Sequence, residues 1–212
     1  MAPEPVEALD SMKFTGVYPK GALLFVEGEQ PRGVFVLCRG RAKLTTTSTE
    51  GRTLIVKIAS PGEILGISAA ILGRPYEVSA ETLEASQVSF IRRDDFLRFL
   101  NAYPEACMHT AQQLSEKYES AQREIRSLGL AHTTSEKLAR LLLSWTASGE
   151  ETPQGTRLQV LLTHEEIGQM IGTTRETVTR LLSEFKRKKL ISTKGASLFL
   201  ISKAEMREMV ST

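Results

Sequence analysis

The sequence predicts an α+β protein: an N-terminal antiparallel barrel or sandwich, a long central helix and a C-terminal winged helix-turn-helix. Three observations predict it. Between residues 14 and 92, glycines at 16, 21, 28, 33, 40, 51, 62 and 66 separate short apolar segments, as in an all-β unit. After Pro104, apolar residues recur at alternating spacings of four and three. From Thr163 to Phe185, two capped helical segments meet at a tight glycine turn, the outline of a helix-turn-helix.

The β segments read as Leu23–Val26, Val34–Cys38, Ala42–Thr46, Leu54–Ile58 and Gln87–Ile91. Val34 and Val36, and Leu54, Val56 and Ile58, alternate as a half-buried strand requires. Glu50-Gly51 reads as a hairpin turn. Asp94 and Asp95 then suit the start of a short helix, and Pro104 the first turn of a long one. Cys107, Ala111, Leu114, Tyr118, Ala121, Ile125 and Leu128 form a narrow seam over about three heptads, flanked by charged residues. Such a seam predicts pairing with a second copy, with Gly129 closing the helix.

The last stretch reads as a separate domain. Thr134 or Ser135 caps a helix reaching Trp145, and Ser148–Thr156 reads as a loop. Thr163-His164-Glu165-Glu166 has the form of a capping box, and Thr173-Thr174-Arg175-Glu176 that of a second. Leu190–Ile201 reads as a hairpin with a Lys194-Gly195 turn, the wing. Expected domains are therefore 1–103, 104–130 and 131–212.

Composition excludes several classes. The 212 residues are 41% hydrophobic and 25% charged, ordinary for a globular chain. No apolar run approaches the ~20 residues of a membrane helix. The N-terminus lacks the apolar core of a secretory signal, so a cytoplasmic protein without a membrane partner is expected. Enzyme motifs are missing: His164-Glu165-Glu166 lacks the second His of a zinc protease motif, and no phosphate loop, G-x-S-x-G or CxxC is present. No enzyme activity and no metal site are expected. With only Cys38 and Cys107, a four-cysteine iron–sulfur cluster is excluded within one chain. His109 is the one histidine placed for haem ligation, and a lone histidine is a poor candidate. Cys38 reads as a core residue, and Cys107 as a seam residue with redox sensing as its alternative.

The charge is uneven. Thr133 to Thr212 holds 12 Lys and Arg against 9 Asp and Glu, a balance of +3, and the remainder balances at −1. A basic end suits a polyanion. In a helix-turn-helix the second helix enters the DNA major groove. Arg175 and Arg180 offer bidentate donors for guanine, and Glu176 an acceptor for cytosine N4. Thr163, Thr173, Thr174 and Lys194 are candidate phosphate contacts, and Thr179 lies on the same exposed face.

On these residues the chain resembles the CRP/FNR superfamily of bacterial transcription regulators. The stretch from Leu162 to Arg180 matches the family's helix-turn-helix signature, with its base readers falling on Arg175, Glu176 and Arg180. Gly21, Leu24-Phe25, Gly28, Gly40, Gly51 and Pro61-Gly62-Glu63 resemble its cyclic-nucleotide-binding-type β-roll, a jelly roll. The resemblance implies a homodimer on the central helix, double-stranded DNA with a palindromic TGTGA-like site, RNA polymerase as a further partner, and allosteric control by a signal at the β-roll.

The resemblance breaks at the ligand. Family members that bind cyclic AMP carry a glycine–glutamate pair and, further on, an arginine for the cyclic phosphate. Gly62-Glu63 matches the first. The arginine position holds Tyr76 or Glu77, and a carboxylate there repels phosphate. Glu63, Arg74, Tyr76 and Ser79 are the candidate effector residues, with a cyclic nucleotide disfavoured and no cofactor assigned. The alternatives are a constitutive dimer with a ligand-free β-roll and a cyclic-nucleotide-gated regulator.

Overall fold

Eight of the strands form two antiparallel four-stranded sheets in the N-terminal half of the chain. One carries, in order, β1 (Phe14–Tyr18), β8 (Ser86–Arg92), β3 (Gly33–Arg39) and β6 (Ile64–Leu65). The other carries β2 (Leu23–Phe25), β7 (Ser79–Thr82), β4 (Ala42–Thr47) and β5 (Thr53–Ala59). This computed structural model describes residues 3–130, 133–160, 162–195 and 197–210. It divides into two units between Tyr118 and Glu119.

The first unit has two apolar layers. Leu24, Phe25, Phe35, Leu37, Ala42, Ala59, Leu65 and Val88 come from both sheets and close the space between them. Strand β3 is buried on both sides: Val34, with Ile91, faces a second cluster holding Ala70 and Phe96. Those two residues lie on α2 (Ile67–Leu72) and α3 (Arg93–Ala102), and α1 (Pro3–Ser11) adds Leu9. Asp94 and Asp95 occupy the first turn of α3, as their charge suits. Gly51 turns β4 into β5 with φ 79°.

The inner face of β5 differs from the sequence expectation. Ile55 and Ala59 are buried, whereas Leu54 and Val56 are exposed. The set Leu54, Val56 and Ile58 is wholly apolar while the inner set holds Thr53 and Lys57, so periodicity alone pointed to the outer one. The pairing with β4 selects it, setting Ala59 opposite buried Ala42 and Ile55 opposite Thr45.

Helix α4 (Pro104–Leu130) begins at the expected proline and runs through Gly129 rather than ending there. Ala106 and Thr110 are buried, and the Thr110 hydroxyl donates to the Ala106 carbonyl.

The second unit packs α5 (Thr134–Ser144), α6 (His164–Ile171), α7 (Arg175–Arg187) and α8 (Lys203–Glu208) with one antiparallel sheet. The sheet order is β11 (Ile191–Lys194), β12 (Ser197–Leu200), β10 (Gly155–Leu158), β9 (Glu150–Thr152). Leu138, Leu142, Ile167, Val178, Leu181, Phe185, Leu200 and Met206 make its core. Thr133, one residue earlier than expected, caps α5 by accepting from the Glu136 N–H. Beyond Ser144 the chain tightens into a 3-10 turn, Trp145–Ser148.

The expected loop at Ser148–Thr156 is instead largely the β9–β10 hairpin. Its polar residues carry no alternating apolar signal. They pair because Thr156 to Leu158 hydrogen-bond along β12. Gly155 permits that approach: a Cβ there would stand 2.4 Å from the Leu200 carbonyl oxygen, at φ +115°.

Candidate nucleic-acid interface

The interface is built on two helices and their turn. Thr163 caps α6 in a complete capping box: its Oγ1 accepts from the Glu166 N–H at 3.2 Å, and Glu166 accepts the Thr163 N–H at 2.9 Å. Gly172 ends α6 at φ 69°. Gly168 lets the turn close, because a Cβ there would stand 2.7 Å from the Thr173 carbonyl oxygen. The Thr173 N–H donates to the Gly168 carbonyl at 2.9 Å.

The second cap falls one residue later than the sequence suggested. Thr174, not Thr173, is the cap residue of α7, and its Oγ1 accepts from the Thr177 N–H. Residue N3 is thus Thr177, so no second capping box forms. Glu176 is left one position earlier, where its own backbone N–H, then the Thr174 hydroxyl and the Arg175 guanidinium, hold its carboxyl below the usual range. It is therefore an ionised acceptor, as a contact to cytosine N4 requires.

One face of α7 is core and the other is free. Val178, Leu181 and Phe185 are buried. Arg175, Glu176, Thr179, Arg180 and Ser183 line one shallow depression on the opposite side. Thr179 is bonded on two sides: its hydroxyl donates to the Arg175 carbonyl, and His164 Nδ1 lies 2.9 Å from Thr179 Oγ1. His164 was not among the sequence candidates for this surface, and only the packing of α6 on α7 brings it to Thr179.

The end of α7 feeds the wing. Lys189, at φ 59°, is the one non-glycine residue with positive φ among those described. Its conformation lets the Leu190 N–H reach back to the Phe185 carbonyl. Lys186 Nζ donates to Thr193 Oγ1 at 3.0 Å, tying the helix end to β11. Lys194 is exposed at the end of that strand, beside Gly195 at φ 60°.

The candidate effector residues belong to the first unit. Glu63 accepts from Lys57 Nζ at 2.6 Å and from the Ser60 N–H at 3.0 Å, inside its own turn. Tyr76 is buried, stacks on Phe25 at 4.2 Å and donates its hydroxyl to the Gly33 carbonyl. Burial raises its pKa. Ser79 Oγ accepts the Glu27 N–H, and Arg74 is exposed.

Along α4, Cys107, Ala111, Tyr118, Ala121 and Ile125 are exposed in the single chain and Leu114 is half-buried. The side chain of Leu128 lies outside the described residues. His109 is exposed too, and Cys38 is half-buried with its thiol 3.3 Å from Ser89 Oγ. Among the described residues, no group of His, Cys, Asp and Glu is placed to hold a metal, and no helix is long and apolar enough to cross a membrane.

Comparison with known proteins agrees with this geometry. Residues 16–103 match the cyclic nucleotide-binding domain and residues 136–209 the Crp-like helix-turn-helix domain. The chain is 25% identical over 185 residues to the cAMP-activated global transcriptional regulator CRP of Pasteurella multocida, covering 85% of this chain and 87% of that one. It is also 25% identical over 203 residues to the CRP-like cAMP-activated global transcriptional regulator of Mycobacterium tuberculosis, covering 96% and 90%. Its fold matches the c-di-GMP responsive global regulator CLP of Xanthomonas campestris with a TM-score of 0.83 at 19% identity, covering 94% and 99%. With a β-roll followed by a helix-turn-helix whose exposed face carries Arg175, Glu176 and Arg180, this chain belongs to the CRP/FNR superfamily of DNA-binding transcription regulators.

Proposed function

We propose that the protein acts as a homodimer on a palindromic, TGTGA-like site, with α7 in the major groove and a signal at the β-roll controlling its affinity. The observation that carries this is the division of α7 into a core face and a face bearing Arg175, Glu176 and Arg180. Dimerisation rests on the apolar seam of α4, whose Tyr118 and Ile125 are 67% and 70% exposed in one chain. Segments 1–103, 104–130 and 131–212 take the sensor, pairing and DNA-binding roles. Thr163, Thr173, Thr174 and Lys194 serve backbone phosphates, RNA polymerase is the further partner, and the compartment is the cytoplasm. Two recognition helices about 34 Å apart engage successive turns of the duplex.

Arg180→Ala tests the base-reading role. It should weaken binding to a TGTGA-N6-TCACA duplex by about 1–3 kcal/mol, or about 5- to 150-fold, and leave random duplex at the same salt nearly unchanged. An equal loss on both would sink the role. The signal is a ligand other than a cyclic nucleotide, because Tyr76 and Glu63 are committed elsewhere. Saturating cyclic AMP should therefore leave the wild-type affinity within about twofold, below 0.5 kcal/mol. The match of residues 16–103 to the cyclic nucleotide-binding domain favours a second reading, a cyclic-nucleotide gate. Tightening of tenfold or more would establish that reading instead.

A further inference from the structure

Thr179 stands between Glu176 and Arg180 on the free face of α7, and its hydroxyl is already committed. A threonine hydroxyl has one proton and two lone pairs. The proton goes to the Arg175 carbonyl oxygen at 2.9 Å. His164 Nδ1, 2.9 Å from Thr179 Oγ1, must then be the donor of the hydroxyl's second bond. That assigns the Nδ1–H form to the neutral ring. No proton of Thr179 is left for guanine O6 or N7, adenine N7 or thymine O4. The remaining side-chain heavy atom is the γ-methyl carbon, which suits the 5-methyl group of thymine.

We infer that His164 is a positioning residue that holds the Thr179 hydroxyl proton on the Arg175 carbonyl, so that Thr179 reads a thymine through its methyl group. The inference rests on α7 entering the major groove. It adds a specificity position beside Arg175, Glu176 and Arg180, and it assigns His164 a role through Thr179. The contact is apolar, so it distinguishes thymine from uracil, which differ only in that methyl.

The test uses the full chain and the duplex it binds best in a random-sequence library. Each thymine of a half-site is replaced singly by deoxyuridine. One replacement should weaken wild-type binding about fourfold, the worth of one buried methyl. Thr179→Val, which keeps the methyl and loses the hydroxyl, should keep that uracil penalty. Thr179→Ser should lose the penalty. His164→Ala should change base preference at that one position, and should change nothing in the Thr179→Val background. A role confined to fold stability would not produce this dependence on the residue at 179. A Thr179→Val loss of tenfold or more, or a uracil penalty that persists in Thr179→Ser, overturns the inference. Sequence selection by the wild type with no uracil effect overturns it alone. Recovery of no preferred sequence overturns the DNA reading and the inference together.

Discussion

Ile125→Glu should leave the chain folded but monomeric, and binding to the palindrome should fall by more than about 100-fold, or 2.7 kcal/mol. Ile125 is 70% exposed in the single chain, so the substitution removes no core contact. It lies on the α4 seam with Cys107, Ala111, Tyr118 and Ala121, all exposed at heptad-like spacing. In a paired helix the new carboxylate would be desolvated against its own symmetry copy, and two like charges cannot both be accommodated there. Sedimentation would report the mass, and a duplex with one half-site would bind monomer and dimer alike. The linked second half-site is what the monomer loses, which is why the effect reaches the upper end of that expected for a single base contact. A variant that remains dimeric with unchanged affinity would remove α4 as the pairing helix.

Phe185→Ala should destabilise the second unit by about 3–5 kcal/mol, a large share of the 5–15 kcal/mol typical of a domain. Phe185 is fully buried among Val178, Leu181, Ile191 and Leu200. Truncation leaves a cavity beneath the helix that carries Arg175, Glu176 and Arg180, which its neighbours fill only in part. Trp145 is the single tryptophan and packs against the same core, so its fluorescence follows this unit. The denaturant midpoint should fall with an unchanged slope. A loss below about 1 kcal/mol would mean that the site collapses around the smaller side chain and that Phe185 is not its anchor.

The parts of the interface legible in the sequence are those built from neighbours in the chain. The Thr163–Glu166 capping box needs residues three apart, and it is present. Helical period separates Val178, Leu181 and Phe185 from Arg175, Glu176 and Arg180, and the burial follows that division. The second cap was misplaced by one residue because Thr173 and Thr174 are chemically identical, and only the closure of Thr173 onto Gly168 distinguishes them. The β9–β10 hairpin had no apolar alternation to announce it, since its partner β12 lies some 40 residues away. The inner face of β5 was hidden because its wholly apolar set, Leu54, Val56 and Ile58, is the outer one, while the inner set carries Thr53 and Lys57.

By itself, then, the sequence determined the order of the units, the helix-turn-helix and the side chains on the exposed face of its second helix. Caps, turns and periodicity act within one or two helical turns, so they are written in consecutive residues. Only the tertiary structure decided that Tyr76 is a core ring stacked on Phe25, that Glu63 is paired with Lys57, and that His164 holds Thr179. Tyr76 and Phe25 lie far apart in the chain, and His164 and Thr179 are separated by 15 residues. Even the six-residue separation of Lys57 and Glu63 spans a strand end and a turn. A side chain's free hydrogen-bonding capacity is what remains after such contacts form, and that remainder is fixed by packing rather than by residue type.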